Sequence, residues 1–162
     1  MRVECKKNNE VDTSKLNELY SIFETNMKIV SEGTIYETTF TDDYKEKWIE
    51  DIKNNESMSI LLFYNDINKI VGYLIIEDKD VNYVREFQIV EENRNEDLIL
   101  DMAESLITYF NNGKDFVGRV WRDDLRGQLL FVQMGAVNNK KGELVLTNDK
   151  LKNWFDKKIS ES

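Results

Sequence analysis

Between Ser59 and Phe110 the spacing of apolar residues changes once, and that change constrains the fold more than any other feature of the chain. Ser59–Tyr64 and Lys69–Glu77 are short apolar runs rich in branched side chains, joined by the polar Asn65-Asp66-Ile67-Asn68. Runs of that length with a short polar link predict a β-hairpin. Asn82–Val90 then alternates, which sets Val84, Glu86, Gln88 and Val90 on one face of a third strand. From Leu98 the period becomes helical: Leu98, Met102, Leu106 and Phe110, with Ile99 and Ala103, form one apolar face. Phe116–Trp121 reads as strand again. Three strands with short links run antiparallel, whereas the strand–helix–strand unit from Tyr83 to Trp121 brings its two strands parallel. The expected class is therefore α/β (α+β), a mixed central sheet of about six to seven strands flanked by helices.

The flanks extend this pattern. Met1–Lys6 reads as a short first strand. Thr13 or Ser14 is expected to cap a helix carrying Leu16, Leu19, Tyr20, Phe23 and Met27. Asp42–Lys53 is a second helix, with acidic residues at its N-terminus and Tyr44, Trp48, Ile49 and Ile52 on one face. Ser31–Phe40 has no period and reads as loop. A helix is expected from Asp123 to Met134, ended by Gly135 in a left-handed conformation. A strand at Glu143–Leu146 and an amphipathic tail with Leu151, Trp154 and Phe155 complete the chain. Polar breaks are short, and 162 residues suit a single domain spanning 1–162.

Two absences exclude whole classes of chemistry. There is no histidine, so Ser-His-Asp triads, Cys-His pairs and histidine-ligated metals are ruled out. No two of the seven glycines lie within three residues of each other, which rules out a G-x-G-x-x-G fingerprint; a Walker-type P-loop is not expected either. The formal charge is −9, from 31 acidic and 22 basic residues. That surface disfavours sequence-independent nucleic-acid binding and favours cationic partners, such as a small amine or a basic peptide. Apolar runs such as Ile60–Tyr64 and Ile70–Ile76 are too short to span a membrane. A charged start without an apolar h-region and a lone Cys5 point to the cytoplasm.

The order of elements resembles the GNAT superfamily of acyl-CoA-dependent N-acyltransferases over nearly the whole chain. Lys69-Ile70-Val71-Gly72-Tyr73-Leu74 is similar to the family's third strand. Phe87-Gln88-Ile89-Val90, then Arg94 and an amphipathic helix, resembles its fourth strand, phosphate-binding turn and third helix. Gly118–Trp121 followed by Leu129–Ala136 resembles its closing N-x-x-A-x-x-L-Y motif. The resemblance implies transfer of an acetyl group from acetyl-CoA to an amine, without a metal. It implies that Glu86 is the base and that backbone amides near Ile89 and Val90 meet the thioester. Arg94, Asn95, Asp97 and Leu98 would then lie at the diphosphate turn, and Asp124 and Phe131 along the coenzyme. Phe23, Tyr36, Phe40, Tyr44 and Trp48 fall in the acceptor region.

The sequence departs from that pattern in several places. With Arg94 as the motif's basic residue, the glycine positions hold Asp97 and Ile99; with Asn95, they hold Leu98 and Leu100. Glu91, Glu92, Glu96 and Asp97 surround the turn and repel a diphosphate. Phe131 stands where many members carry a tyrosine that protonates the leaving thiolate, Asp124 replaces Asn, Gly127 replaces Ala and Ala136 replaces Phe. Arg119, Arg122 and Arg126, with Trp121, form a basic cluster that either grips a phosphate or balances Asp123 and Asp124. Cys5 lacks a partner that would make it a nucleophile. Beside the transferase stands a second reading, a catalytically degenerate GNAT-fold protein that binds another ligand or a protein partner, a homodimer included.

Overall fold

The computed structural model describes residues 1–121 and 124–162, so Arg122 and Asp123 of the expected basic cluster and helix start lie outside the described residues. Seven strands form one mixed sheet: β1 (Arg2–Lys7), β2 (Met58–Tyr64), β3 (Ile70–Asp78), β4 (Asn82–Ile89), β5 (Phe116–Gly118), β6 (Val137–Asn138) and β7 (Leu144–Leu146). Their order is β1-β2-β3-β4-β5-β7-β6. The helices are α1 (Thr13–Ser31), α2 (Asp42–Asn54), α3 (Glu96–Tyr109), α4 (Leu125–Gln133) and α5 (Asn148–Ser160). Two compact units divide the chain, Met1–Ile75 with Glu86–Asn93, and Ile76–Arg85 with Arg94–Ser162.

In the first unit β1 pairs antiparallel with β2, Arg2 opposite Tyr64 and Lys7 opposite Ser59. β2 and β3 are neighbours joined by five residues, a link too short for anything but an antiparallel pair. Asn68 takes φ +65 in that link, a left-handed conformation that asparagine tolerates better than most residues. All of β2 and nearly all of β3 are buried, as unbroken apolar runs require. Leu16 and Leu19 of α1 and Ile52 of α2 pack with Met58, Ile60 and Leu62 of β2 and with Tyr73 and Ile75 of β3. Truncating Leu16, wholly buried, to Ala removes about 2–5 kcal/mol of stability.

The cap of α1 is Asp12, not Thr13 or Ser14. Its backbone is extended and its carboxylate accepts the Lys15 N–H at 2.8 Å, while Thr13 and Ser14 already lie in the first turn. A carboxylate also meets the positive end of the helix dipole, which a hydroxyl does not. Thr41 caps α2 in the same way through the Tyr44 N–H. At the other end of α2, the buried Asn8 side chain donates to the carbonyls of Ile52 (3.1 Å) and Lys53 (3.0 Å). Those are two of the acceptors a helix leaves open at its C-terminus.

In the second unit β4 and β5 run parallel, with Asn82 opposite Phe116 and Val84 opposite Gly118, as the strand–helix–strand reading requires. Gly118 makes that pairing close: a β-carbon there would stand 3.1 Å from the Val84 carbonyl oxygen. β5 is shorter than expected and ends at Gly118, and β7 pairs antiparallel with it. The two-residue β6, which pairs with β7, was not anticipated, because two exposed residues carry no alternation. α4 begins at Leu125 after the Asp124 cap and ends before Gly135, whose φ of +102 confirms the left-handed stop. Asn82 and Asn112 exchange amide hydrogen bonds at 2.9 and 2.8 Å, fastening the start of β4 to the turn after α3.

Candidate active site

Glu86 sits on β4 two residues before Gln88, and strand alternation turns both side chains to one face. One carboxylate oxygen, Oε1, accepts the indole N–H of Trp48 at 3.2 Å; the other, Oε2, accepts the Gln88 amide at 3.2 Å. Gln88 Oε1 in turn accepts from Asn26 Nδ2 at 3.0 Å, and the same Asn26 nitrogen donates to the Ile89 carbonyl at 2.9 Å. Glu86 has at least one further interaction besides these. The carboxylate is half-buried and held from two sides.

Around it lies an aromatic wall. Tyr20 meets Trp48 edge-on, with ring centroids 5.4 Å apart, and Phe23 packs on Phe40, Tyr44 and Trp48 at 5.4–6.0 Å. Tyr73 of β3 is fully buried, and among the described residues its hydroxyl has no hydrogen-bond partner. Burial, and then the charge of Glu86, push that phenol well above its ordinary value of 10.0. Tyr20 is also buried with an unpartnered hydroxyl; burial, and then the charges of Glu24, Tyr44 and Asp42, push it up to about 12. Both phenols therefore stay protonated across the physiological range, and they can donate a hydrogen bond there.

The Asn82 N–H, at the start of β4, donates to Asp115 O at 2.9 Å, and the Val90 N–H, just after β4, donates to Val71 O, also at 2.9 Å. Of the two amides expected at the thioester, Val90's is thus already donated to Val71. Ile89 is buried, with its carbonyl taken by Asn26.

At the start of α3, Asn95 is the cap and its side chain accepts the Leu98 N–H at 2.9 Å. Leu98 is buried, while Arg94, Glu96 and Asp97 are exposed. Lys158 of α5 reaches Glu96 at 3.1 Å, bringing a second cation to this turn. At α4, Asp124 Oδ1 accepts the Gly127 N–H at 3.0 Å, and a β-carbon on Gly127 would stand 2.7 Å from Asp124 Oδ2. The glycine is thus the complement of that cap. Arg119 and Arg126 are exposed, and Phe131 is half-buried on α4.

No protein-family model matches the sequence, and no curated protein matches it. Solved structures do. A PaiA N-acetyltransferase from Thermoplasma acidophilum, in complex with coenzyme A, aligns at 14% identity over 90% of this chain and 98% of its own, with a TM-score of 0.58. A GNAT-family acetyltransferase from Staphylococcus aureus aligns at 15% over 87% and 88%, TM-score 0.64. An acyl-CoA N-acyltransferase from Pseudomonas aeruginosa aligns at 9% over 90% and 97%, TM-score 0.62. The chain has the GNAT fold.

Within the GNAT fold the expected residues divide into three groups. Glu86, Ile89 and Val90 lie on or just after β4, where Asn26, Gln88 and Trp48 surround the carboxylate. Arg94, Asn95, Asp97 and Leu98 lie together at the start of α3, and Asp124 and Phe131 belong to the cap and body of α4. Sequence reasoning missed Asn26, which lies on the helix face with Phe23 and Met27, and Lys158. Neither carries a local signal; only the folded chain brings them to β4 and α3. Trp48 was visible as an aromatic on the acceptor side but not as a partner of Glu86. Among the described residues, no group of acidic or cysteine side chains could hold a metal ion, and no helix is long and apolar enough to cross a membrane.

Proposed function

We propose that the protein transfers an acetyl group from acetyl-CoA to the nitrogen of a small amine or basic peptide, in the cytoplasm, with Glu86 as the base. The observation that carries this reading is the Glu86 carboxylate, fixed between the Trp48 indole and the Gln88 amide beside an aromatic wall. An ammonium group approaching the carboxylate gives up a proton to it, because only the neutral amine attacks a thioester. The nitrogen then bonds to the carbonyl carbon and loses its second proton to solvent, the carbon–sulfur bond breaks, and the thiolate leaves. Phe131 has no proton to give, so the thiolate takes one from solvent. Glu86 passes its own proton to solvent before the next turnover.

The α3 turn fits a diphosphate poorly. Asn95 already occupies the Leu98 N–H, and Glu96 and Asp97 oppose Arg94 and Lys158. Weak coenzyme affinity is the expected consequence. The same feature favours the second reading, a GNAT scaffold with another ligand or a protein partner. Leu125, Leu129 and Val132, each more than half exposed along one face of α4, suit such a partner, a second copy of the chain included. A melting curve with millimolar acetyl-CoA or free coenzyme A, followed by an amine panel, separates the two. A weakly bound coenzyme present at about 10 times its Kd stabilises by about 1.4 kcal/mol, a rise of roughly 3–5 °C. A rise together with transfer that falls about 100-fold or more in Glu86→Gln supports the transferase. Neither coenzyme raising the melting point would sink it.

A further inference from the structure

We infer that Trp48 and the Asn26–Gln88 pair are positioning residues for Glu86, with Asn26 dictating which end of the Gln88 amide the carboxylate meets. The inference deepens the transferase reading and rests on it for the role of base. Its foundation is the directionality of the hydrogen-bond chain. Both ends of the chain are obligate acceptors: the Glu86 carboxylate at one, the Ile89 carbonyl at the other. Asn26 must therefore turn its NH2 toward Ile89, and the same nitrogen reaches Gln88 Oε1 at 3.0 Å. That contact leaves the Gln88 NH2 for Glu86 Oε2 at 3.2 Å, with Met27 Sδ at 3.8 Å as its second acceptor. The indole of Trp48 can only donate, so Glu86 Oε1 is held without ambiguity from the opposite side.

Glu86 has at least one further interaction besides these donors. Asn26 and Met27 come from α1 and Trp48 from α2, while the titratable group facing Glu86 from β3 is Tyr73, protonated at working pH. Arg85, next along β4, bonds to Glu77 at 3.0 Å. Asn26 is buried, so water competes little for its amide.

The test is a carbon-13 NMR titration of the Glu86 side-chain carboxyl in the full chain, assigned with Glu86→Gln, which requires no turnover. Trp48→Phe keeps an aromatic ring and removes the donor; Gln88→Met keeps the length and removes the amide. Each is expected to move the Glu86 midpoint up by about 1–2 pH units, the effect of one lost hydrogen bond to a carboxylate. Asn26→Asp accepts only, so Gln88 should flip and present its oxygen to Glu86. Its effect should be clearly larger in the wild-type background than beside Gln88→Met, where only the added charge remains. Equal shifts in both backgrounds, or an unmoved midpoint in Trp48→Phe and Gln88→Met, overturn the inference. If Asn26→Asp does not fold, Asn26→Ala replaces it: the Gln88 side-chain amide should then lose order, and an unchanged amide counts against the relay. A silent transfer assay with the expected titration pattern would sink the transferase and leave the relay. An unmoved titration with active transfer would do the reverse.

Discussion

Replacing Glu96 with Gln is expected to change stability and coenzyme affinity in opposite directions. Glu96 is the first residue of α3, where a negative side chain favours the helix by about 0.3–1 kcal/mol. Its pair with Lys158 spans 3.1 Å between side chains 64% and 37% exposed, so solvent screening leaves it about 0–1 kcal/mol. The free protein should lose about 0.3–2 kcal/mol in all, a fall of roughly 1–8 °C at this chain length. A diphosphate beside the turn experiences the reverse. One like charge removed from about 4 Å in water is worth about 1 kcal/mol, and the freed Lys158 ammonium adds attraction of the same order. Coenzyme A should bind about 5–30-fold tighter at low ionic strength, with the gain shrinking as salt is added. Calorimetric titration with coenzyme A, set against pantetheine as a ligand without the diphosphate, reads the effect. A lower melting point with unchanged coenzyme affinity would refute the reasoning, because the α3 turn would then not meet the diphosphate.

Two further substitutions test the local physics. Gly127→Ala normally favours a helix by up to about 1 kcal/mol, but here the β-carbon meets Asp124 Oδ2 at 2.7 Å and displaces the cap. Urea denaturation should show Gly127→Ala neutral or destabilising in the natural chain and clearly less unfavourable beside Asp124→Ala, where the cap is already lost and only the Val120 Cγ1 contact at 3.1 Å remains. Tyr20→Phe removes a buried hydroxyl that has no partner among the described residues and should stabilise the protein at pH 7. Because folding raises the Tyr20 phenol from 10.0 to about 12, the stability it protects is complete below pH 10 and is lost as pH rises toward 12. Chemical denaturation across pH 9–12 should show that decline in the natural chain and a shallower one in Tyr20→Phe.

Pattern alone carried most of the fold because burial imposes periods. The unbroken apolar runs of β2 and β3 reflect cover on both faces, and the helical stripe of α3 reflects cover on one. Where burial imposes little, pattern failed. β6 is two exposed residues, and β5 stops at Gly118 although Arg119–Trp121 continues the alternation. Caps shifted by one residue at α1 because Asp, Thr and Ser stand in a row and only backbone geometry decides among them. For the site, alternation along β4 placed Glu86 and Gln88 on one face. Asn26 and Trp48 are 62 and 38 residues from their partners, and no local period reports contacts of that range.

The two amide bonds from Asn8 give α2 a fixed end and a free one. They grip the carbonyls of Ile52 and Lys53, about one turn beyond Trp48, whereas Tyr44 stands a turn farther out near the start of the helix. A rod pinned near one end swings least beside the pin. Any tilt of α2 to admit a bulkier acceptor should carry Tyr44 and Asp42 through the widest arc and leave the Trp48–Glu86 bond nearly still. For the proposed transferase, acceptor shape would then be tuned at one end of the helix without retuning Glu86 at the other.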